Sequence, residues 1–144
     1  MKLKRLLVLF VPLFGLLALF SGCSSPGDLS GLSVELLKLE HAADGSVVAT
    51  LQFNNGAVQS MNIAASTHQL SLNGQPPELL TIKEPLGLPA QRSATQVVTL
   101  KIPGASLPAS GTVEYKLSSV LTFVLYDEQK EQDKFSHSGT APIK

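Results

Sequence analysis

Beyond residue 30, apolar side chains recur at every second position in short runs, and this alternation constrains the fold more than any other feature of the sequence. Leu32, Val34 and Leu36 form the first such run. Successive side chains of a β-strand point to opposite faces, so each run predicts a strand with one buried face. The predicted strands lie at residues 32–37, 47–53, 58–72, 78–83, 96–102, 112–117, 120–126 and 135–140.

Turn-forming residues separate these runs. The clearest turn signals are Asp44-Gly45, Asn54-Asn55-Gly56 and Asn73-Gly74. Asn and Gly adopt positive φ at low cost, so each stretch predicts the end of a strand or a hairpin. The charged run 127–134 carries both signs and predicts a solvated hairpin tip.

The pattern as a whole predicts an all-β protein. No run after residue 23 has apolar side chains at helical spacing, and seven or eight short strands with turns between them are typical of a β-sandwich. The apolar phase changes from odd to even positions between Ile63 and Leu70, which predicts a bulge or bend near residues 64–66. We expect one domain over residues 31–144.

The first 22 residues have the organisation of an export signal. Lys2, Lys4 and Arg5 precede an apolar run over residues 6–20. That run is shorter than the roughly 20 residues that a membrane-spanning helix needs, and it suits the hydrophobic region of a signal peptide.

The apolar run ends in Phe20-Ser21-Gly22-Cys23, which resembles the lipobox of bacterial lipoproteins. The resemblance implies removal of residues 1–22 and lipidation of Cys23, with residues 23–30 as lipidated Cys and polar tether. Ser24 rather than Asp follows the cysteine, which favours the outer membrane, facing the periplasm, in a cell with two membranes. An ordinary signal peptide cut nearby and an uncleaved anchor are the alternatives.

The charge balance limits the partners. Removing residues 1–22 takes away three basic side chains and no acid, so 8 basic and 11 acidic side chains remain, a net charge of −3. A mildly acidic chain without a basic patch argues against nucleic acid as a partner. With Cys23 acylated, no thiol is left for a disulfide or a metal.

Several of these stretches, in this order, resemble the late-embryogenesis-abundant group 2 (LEA2) proteins, which carry the water-stress and hypersensitive-response (WHy) domain. The matching stretches are Leu51-Gln52-Phe53-Asn54-Asn55-Gly56, Gln69-Leu70-Ser71-Leu72-Asn73-Gly74, Leu88-Pro89-Ala90, Gln96-Val97-Val98-Thr99-Leu100 and Tyr115-Lys116-Leu117. The sequence has Asn55-Gly56 where the family usually has Pro-Asn. The resemblance implies a single immunoglobulin-like or fibronectin-III-like β-sandwich of about seven strands and a stress-related role without catalytic residues.

The candidate chemical groups are few. His41, His68 and His137 lie on separate segments and predict strand-face or surface histidines, not a metal site. No Gly-x-Ser-x-Gly pattern occurs, which argues against a hydrolase, although a Ser-His-Asp arrangement from distant positions stays open. We expect no enzyme, no cofactor and no small-molecule substrate. Phe53 and Phe135 fall in phase with apolar neighbours and predict core positions, as do Tyr115 and Phe123.

Two functions fit these observations. The first is a membrane-anchored protein that protects proteins or the bilayer against desiccation, cold or osmotic stress through weak contacts of its polar strand faces. Its partners would be the bilayer, through acylated Cys23, and protein clients. The alternative is an envelope assembly adaptor that binds another protein along a sheet edge, with residues 78–83 as the edge.

Overall fold

The structure is a computed structural model that describes residues 31–103, 106–124 and 130–144. All regular structure in these residues is β-strand, which confirms the predicted all-β class. The strands are β1 (Leu32–His41), β2 (Val47–Asn55), β3 (Met61–Leu72), β4 (Glu78–Ile82), β5 (Leu86–Leu88), β6 (Arg92–Leu100), β7 (Gly111–Val124) and β8 (Lys130–Ile143). The predictions for the signal, Cys23 and the tether lie outside the described residues.

The eight strands form one continuous, curled sheet of mixed direction. Its order is β4-β3-β7-β8-β1-β2-β6, and β5 also pairs with β3. Neighbouring strands are antiparallel except β1 and β8, which run parallel and meet at Leu39 and Ile143. Two main-chain hydrogen bonds secure this meeting: the His41 N–H donates to the Lys144 carbonyl at 2.7 Å, and the Lys144 N–H to the Leu39 carbonyl at 3.1 Å. One half of the sheet, β3, β4, β5, β7 and β8, therefore joins the other half, β1, β2 and β6, along β8 and β1.

The inward faces of both halves supply one core. The largest fully buried apolar side chains are Phe53, Leu39, Leu51, Ile63, Leu70, Leu72, Leu88, Leu121 and Ile143. Each such burial contributes roughly 1.5–3 kcal/mol relative to an exposed side chain. Phe53, Tyr115 and Phe123 are buried as predicted, and Phe135 is half-buried against the core.

Two β-bulges keep the apolar residues facing inward. The register of β3 against β7 shifts between Ile63 and Ala65, which confirms the bend predicted near residues 64–66. A second shift, between Leu36 and Lys38 of β1, was not predicted. It turns Leu37 outward, 41% exposed, and returns Leu39 to the core. The extra residue of a bulge therefore corrects the phase of each strand.

Several predicted boundaries are wrong. The structure has one strand of 14 residues, β7, where the sequence predicted two strands. It also begins β8 at Lys130, inside the predicted polar tip 127–134. Val58, predicted to lead into the third strand, lies in a loop and is 80% exposed. Pairing explains the first two differences. β7 and β8 pair along their whole length, from the pair Gly111–Ile143 to the pair Val124–Lys130, so their polar segments hydrogen-bond to each other.

Candidate functional surfaces

Asn55, at the end of β2, joins two of the motif stretches. Its side-chain nitrogen donates to the carbonyls of Gln59 at 2.8 Å, Pro89 at 3.1 Å and Leu88 at 3.3 Å. Its side-chain oxygen accepts the Ala57 N–H at 2.9 Å. Asn55 is 2% exposed, so this buried amide uses both its donors and its acceptor. The stretches 54–56 and 88–90, distant in sequence, are thus held together by one side chain.

Two further hydrogen bonds, donated by main-chain N–H groups, reinforce the same junction. The Gln91 N–H donates to the Ala57 carbonyl at 3.1 Å, and the Ala90 N–H donates to Ser60 Oγ at 3.3 Å. Gln91 adopts a φ of 55°, which re-aims the chain into β6. These bonds fix the loop after β2 against the segment that precedes β6.

Two glycines meet where the chain enters β1. The Gly56 N–H donates to the Gly31 carbonyl at 2.6 Å. Gly31 has a φ of +104°, and a Cβ built on it would lie 3.0 Å from the Gly56 carbonyl carbon. Both the backbone conformation and the close approach therefore require glycine at position 31.

Asn73 and Gly74 form the predicted hairpin turn between β3 and β4. Their φ angles are 48° and 72°, and the Gln75 N–H donates to the Leu72 carbonyl at 2.9 Å. Two successive positive φ angles define a type I′ turn, whose twist matches that of the paired strands. The Asn73 side chain also accepts the Glu114 N–H at 3.1 Å, so the turn is attached to β7.

Asn54 lies on the outward face and belongs to a polar row across β1 and β2. Its side chain donates to Glu35 Oε1 at 2.9 Å and to Ser33 Oγ at 3.3 Å, and it accepts from Gln52 at 2.8 Å. The two asparagines of the motif thus act on opposite faces of the sheet.

His68 is the one described histidine that lies wholly in the core, with no exposed surface. Its Nδ1 lies 2.7 Å from Ser119 Oγ and its Nε2 lies 2.8 Å from Ser66 Oγ. The ring of Phe53 packs edge-on against it at 5.9 Å between centroids. A neutral imidazole has one donor and one acceptor nitrogen, so the two hydroxyls satisfy it completely. Burial lowers the pKa of His68 to about 4.

The other two histidines, His41 and His137, make contacts nearer the surface of the domain. His41 Nε2 lies 3.0 Å from the Pro108 carbonyl. His137 stacks on Tyr115 and its Nδ1 lies 2.7 Å from the Tyr115 hydroxyl. Burial raises the pKa of the Tyr115 phenol.

The outward face of β3, β7 and β8 is polar and shallowly grooved. Two cross-strand rows contain mostly hydroxyl and amide side chains: Gln69, Ser118 and Ser136 in one, and Ser71, Lys116 and Ser138 in the other. The second row lines two open grooves, one of about 300 Å³ and one of about 490 Å³. Because neighbouring strands lie about 4.8 Å apart, these side chains hold many hydrogen-bond donors and acceptors close together at the surface.

The two ends of the sheet approach each other through side chains. β4 lies at one end, as predicted for residues 78–83, and β6 at the other. Glu78 Oε1 accepts the Lys101 N–H at 2.5 Å, and the Gln96 side chain donates to the Glu84 carbonyl at 3.1 Å. The other side-chain oxygens, Glu78 Oε2 and Gln96 Oε1, are buried without a partner among the described residues.

Among residues 31–103, 106–124 and 130–144, no three His, Cys, Asp or Glu side chains form a group that could hold a metal ion. No helix in the same ranges is long and apolar enough to cross a membrane.

The fold is similar to solved structures of plant proteins. One is the solution structure of a plant late embryogenesis abundant (LEA) protein, 17% identical, covering 80% of this chain and 72% of that chain, with a TM-score of 0.51. Another is a solution structure from Arabidopsis thaliana, 16% identical, covering 80% and 83%, with a TM-score of 0.54. No family model matches the chain, and no curated protein matches it in sequence. At these identities the similarity shows the fold alone, which is a shared LEA-like β fold. It supports the sequence resemblance to the LEA2 proteins at the level of the fold.

Proposed function

We propose that this protein is a lipid-anchored, non-catalytic protein whose LEA2/WHy-like domain limits damage during desiccation, cold or osmotic stress. The observation that carries the proposal is the polar outward face of β3, β7 and β8, presented by an LEA-like fold. Its rows of Ser, Gln and Lys side chains offer many weak hydrogen bonds over a broad surface. The finer assignment to an immunoglobulin-like sandwich belongs to the same proposal, and the division of the sheet into two facing halves supports it.

Such a face acts by replacing water. When water activity falls, the polar groups of a client protein or of lipid headgroups lose their hydration partners. Hydroxyl and amide groups at strand spacing would then supply substitute hydrogen bonds, and each bond is worth more once water no longer competes for the same groups. Weak and numerous contacts hold many different clients without a dedicated pocket.

The anchor in this proposal is Cys23. Thioether lipidation and N-acylation give more than one acyl chain, and stable membrane attachment needs at least two such signals. The domain would then work at the bilayer surface, on the periplasmic side of the outer membrane where two membranes are present.

The anchor is tested by cell fractionation. We expect the wild-type chain in the membrane fraction and Cys23→Ser in the soluble fraction or unprocessed, while Ser24→Ala behaves as wild type. Cys23→Ser that stays in the membrane fraction and is processed to the wild-type mass would overturn the lipid anchor.

The protective role is tested by survival. A strain that lacks the protein should lose viability on drying, freezing or osmotic shock, and the wild-type gene should restore it. The Cys23→Ser gene should restore it less well, because the domain is no longer held at the membrane. Equal survival of the deletion strain and its parent under all three stresses would refute the role.

The alternative function is an assembly adaptor that binds a partner along a sheet edge. β4 is an edge strand, and Leu79 on it is 60% exposed. However, the hydrogen bonds from Lys101 to Glu78 and from Gln96 to Glu84 connect the two ends of the sheet, which favours the protective role. Cross-linking in cells separates the two, because an adaptor gives one dominant partner and a protective protein gives many at low yield.

A further inference from the structure

One end of the domain carries the point where the chain enters it, together with two loops. Gly31 precedes β1, and strand register places the end of β2 and the start of β6 beside it, through the pairs Leu32–Asn55 and Asn55–Arg92. The pair Met61–Leu88 brings the start of β3 to the same end. We call this end, consisting of residues 31, 56–60 and 89–92, the Gly31 pole.

The two loops of the Gly31 pole are poor in charge and expose apolar groups. Residues 53–63 and 86–91 contain no charged side chain, while the register brings Lys130 and Glu131 at the start of β8 to the same end of the domain. Val58 at the loop tip is 80% exposed, the highest value among the exposed large apolar residues described. Pro89 is also exposed, as is the cation Arg92 at the start of β6. A small apolar tip beside one long cationic side chain suits the boundary between headgroups and acyl chains.

Part of the backbone of this pole is hydrogen-bonded internally. Asn55 accounts for the Ala57 N–H and for the carbonyls of Gln59, Leu88 and Pro89. Main-chain bonds account for the Gly56 N–H, the Ala57 carbonyl and the Gln91 N–H. Unpaired backbone groups cost several kcal/mol in an apolar medium, so the groups paired here lower the cost of bringing the pole to the headgroup boundary, where Val58 stays within reach of water and headgroups.

The length of chain before Gly31 limits how far this pole can stand from a bilayer. Eight residue steps separate Cys23 from Gly31, which is at most about 29 Å when fully extended. β1, which leads from Gly31 toward the Asp44 hairpin, has 10 residues and is roughly 33 Å long. An anchor at Cys23 therefore tethers the Gly31 pole to the lipid and leaves the Asp44 hairpin at the far end of β1.

We infer that the Gly31 pole docks on the lipid surface, with Val58 at the boundary between headgroups and acyl chains. This inference rests on the proposed lipid anchor at Cys23. Docking would fix the orientation of the domain on the membrane and direct its polar outward face along the bilayer surface and into the surrounding water.

The chain is well suited to a direct test, because it has no Trp and a single Cys. Residues 23–144 are coupled through the Cys23 thiol to maleimide-lipid vesicles of phosphatidylethanolamine and phosphatidylglycerol. Val58→Trp then carries the only Trp as a reporter. The matched control is Val97→Trp, on the outward face of β6, 65% exposed and about five residues from the pole.

Docking predicts different responses of the two reporters. On vesicles with brominated acyl chains, we expect emission from Val58→Trp to fall roughly twofold and shift to the blue, and Val97→Trp to keep its emission. A second reporter, Pro89→Trp, should also be quenched, which guards against a local effect at position 58. Equal quenching at positions 58 and 97, or none at 58 and 89, would overturn the inference.

The vesicle experiment distinguishes failure of docking from failure of the proposed lipid anchor. The coupling in this experiment is chemical, so it does not depend on lipidation in the cell. If Cys23→Ser keeps both the membrane fractionation and the processed mass of the wild type in cells, the natural anchor is wrong whatever the vesicles show. If Cys23→Ser becomes soluble but Val58→Trp is not quenched, the anchor stands and only the docking is wrong.

Discussion

Among single residues, His68 places a titratable group in an apolar core. Both ring nitrogens are bonded to serine hydroxyls on β3 and β7, so the neutral ring is fully satisfied. Protonation would turn the acceptor nitrogen into a second donor and place a charge where no water reaches it. Burial accordingly lowers the pKa to about 4 from the ordinary value of 6.5.

This shift makes stability depend on pH in a defined window. Above pH 6.5 the ring is neutral in both the folded and the unfolded chain. Between pH 6.5 and about 4 only the unfolded chain binds the proton, so the free energy of unfolding decreases as the pH falls. We expect a loss of about 2 kcal/mol between pH 7 and pH 5, measured by urea unfolding.

Two variants check that His68 is the source. His68→Leu should be less stable at pH 7, because Ser66 and Ser119 lose their partner, but its stability should change little between pH 7 and pH 5. Leu39→Ala should also lose stability at pH 7 but keep the wild-type pH profile, because it removes buried apolar surface and leaves His68 in place. The explanation fails if His68→Leu shows the same slope as the wild type.

The sequence predicted the structural roles of some residues and missed those of others. Turn composition was enough to identify Asn73 and Gly74, because their role is local. The stretch 54–56 was identified, but not that Asn55 faces inward and holds the segment at residue 88, which depends on tertiary pairing. The burial of His68 could have been predicted from its phase, because it alternates with Leu70 and Leu72 on the inward face of β3.

At the scale of strands, β7 shows a case in which the alternation of apolar residues predicts the wrong strand boundaries. Val113, Tyr115 and Leu117 face inward, and Leu121 and Phe123 continue in the same phase. Ser119 occupies the inward position between the two runs, so the apolar alternation is interrupted there. The strand continues because the hydroxyl is satisfied by His68, a residue of another strand that no local pattern reveals.

The β3–β4 turn gives a prediction for a single strand pair. Gly74 has a φ of +72°, and a Cβ there would meet nothing within 4 Å, so Gly74→Ala would add backbone strain without a clash. We expect a loss of about 1–2 kcal/mol in the free energy of unfolding. Gly87→Ala is the matched control: its φ is not positive and a Cβ would lie 3.8 Å from Asn62, so we expect little change. Equal losses in urea unfolding would argue against strain as the cause.

At the scale of the whole molecule, alternation reveals which side of a strand is buried but not which strand lies beside it. The order of the sheet depends on the parallel meeting of β1 and β8, the first and last strands described. No local signal accompanies a contact between residues so distant in sequence, so the all-β class was predictable and the single curled sheet was not.

The parallel pairing of β1 with β8 also predicts how the domain unfolds. Ile143 is 1% exposed and pairs with both Leu39 and Gly111, so it contributes to both halves of the sheet. Ile143→Ala should therefore cost about 2–5 kcal/mol, while unfolding stays a single transition by circular dichroism and Tyr fluorescence, because neither half keeps a core alone. Lys144→Ala is the control and should be neutral, since position 144 joins β1 through its main chain. Two separate transitions in Ile143→Ala would mean that the halves are independent and that the β1–β8 contact does not unite them.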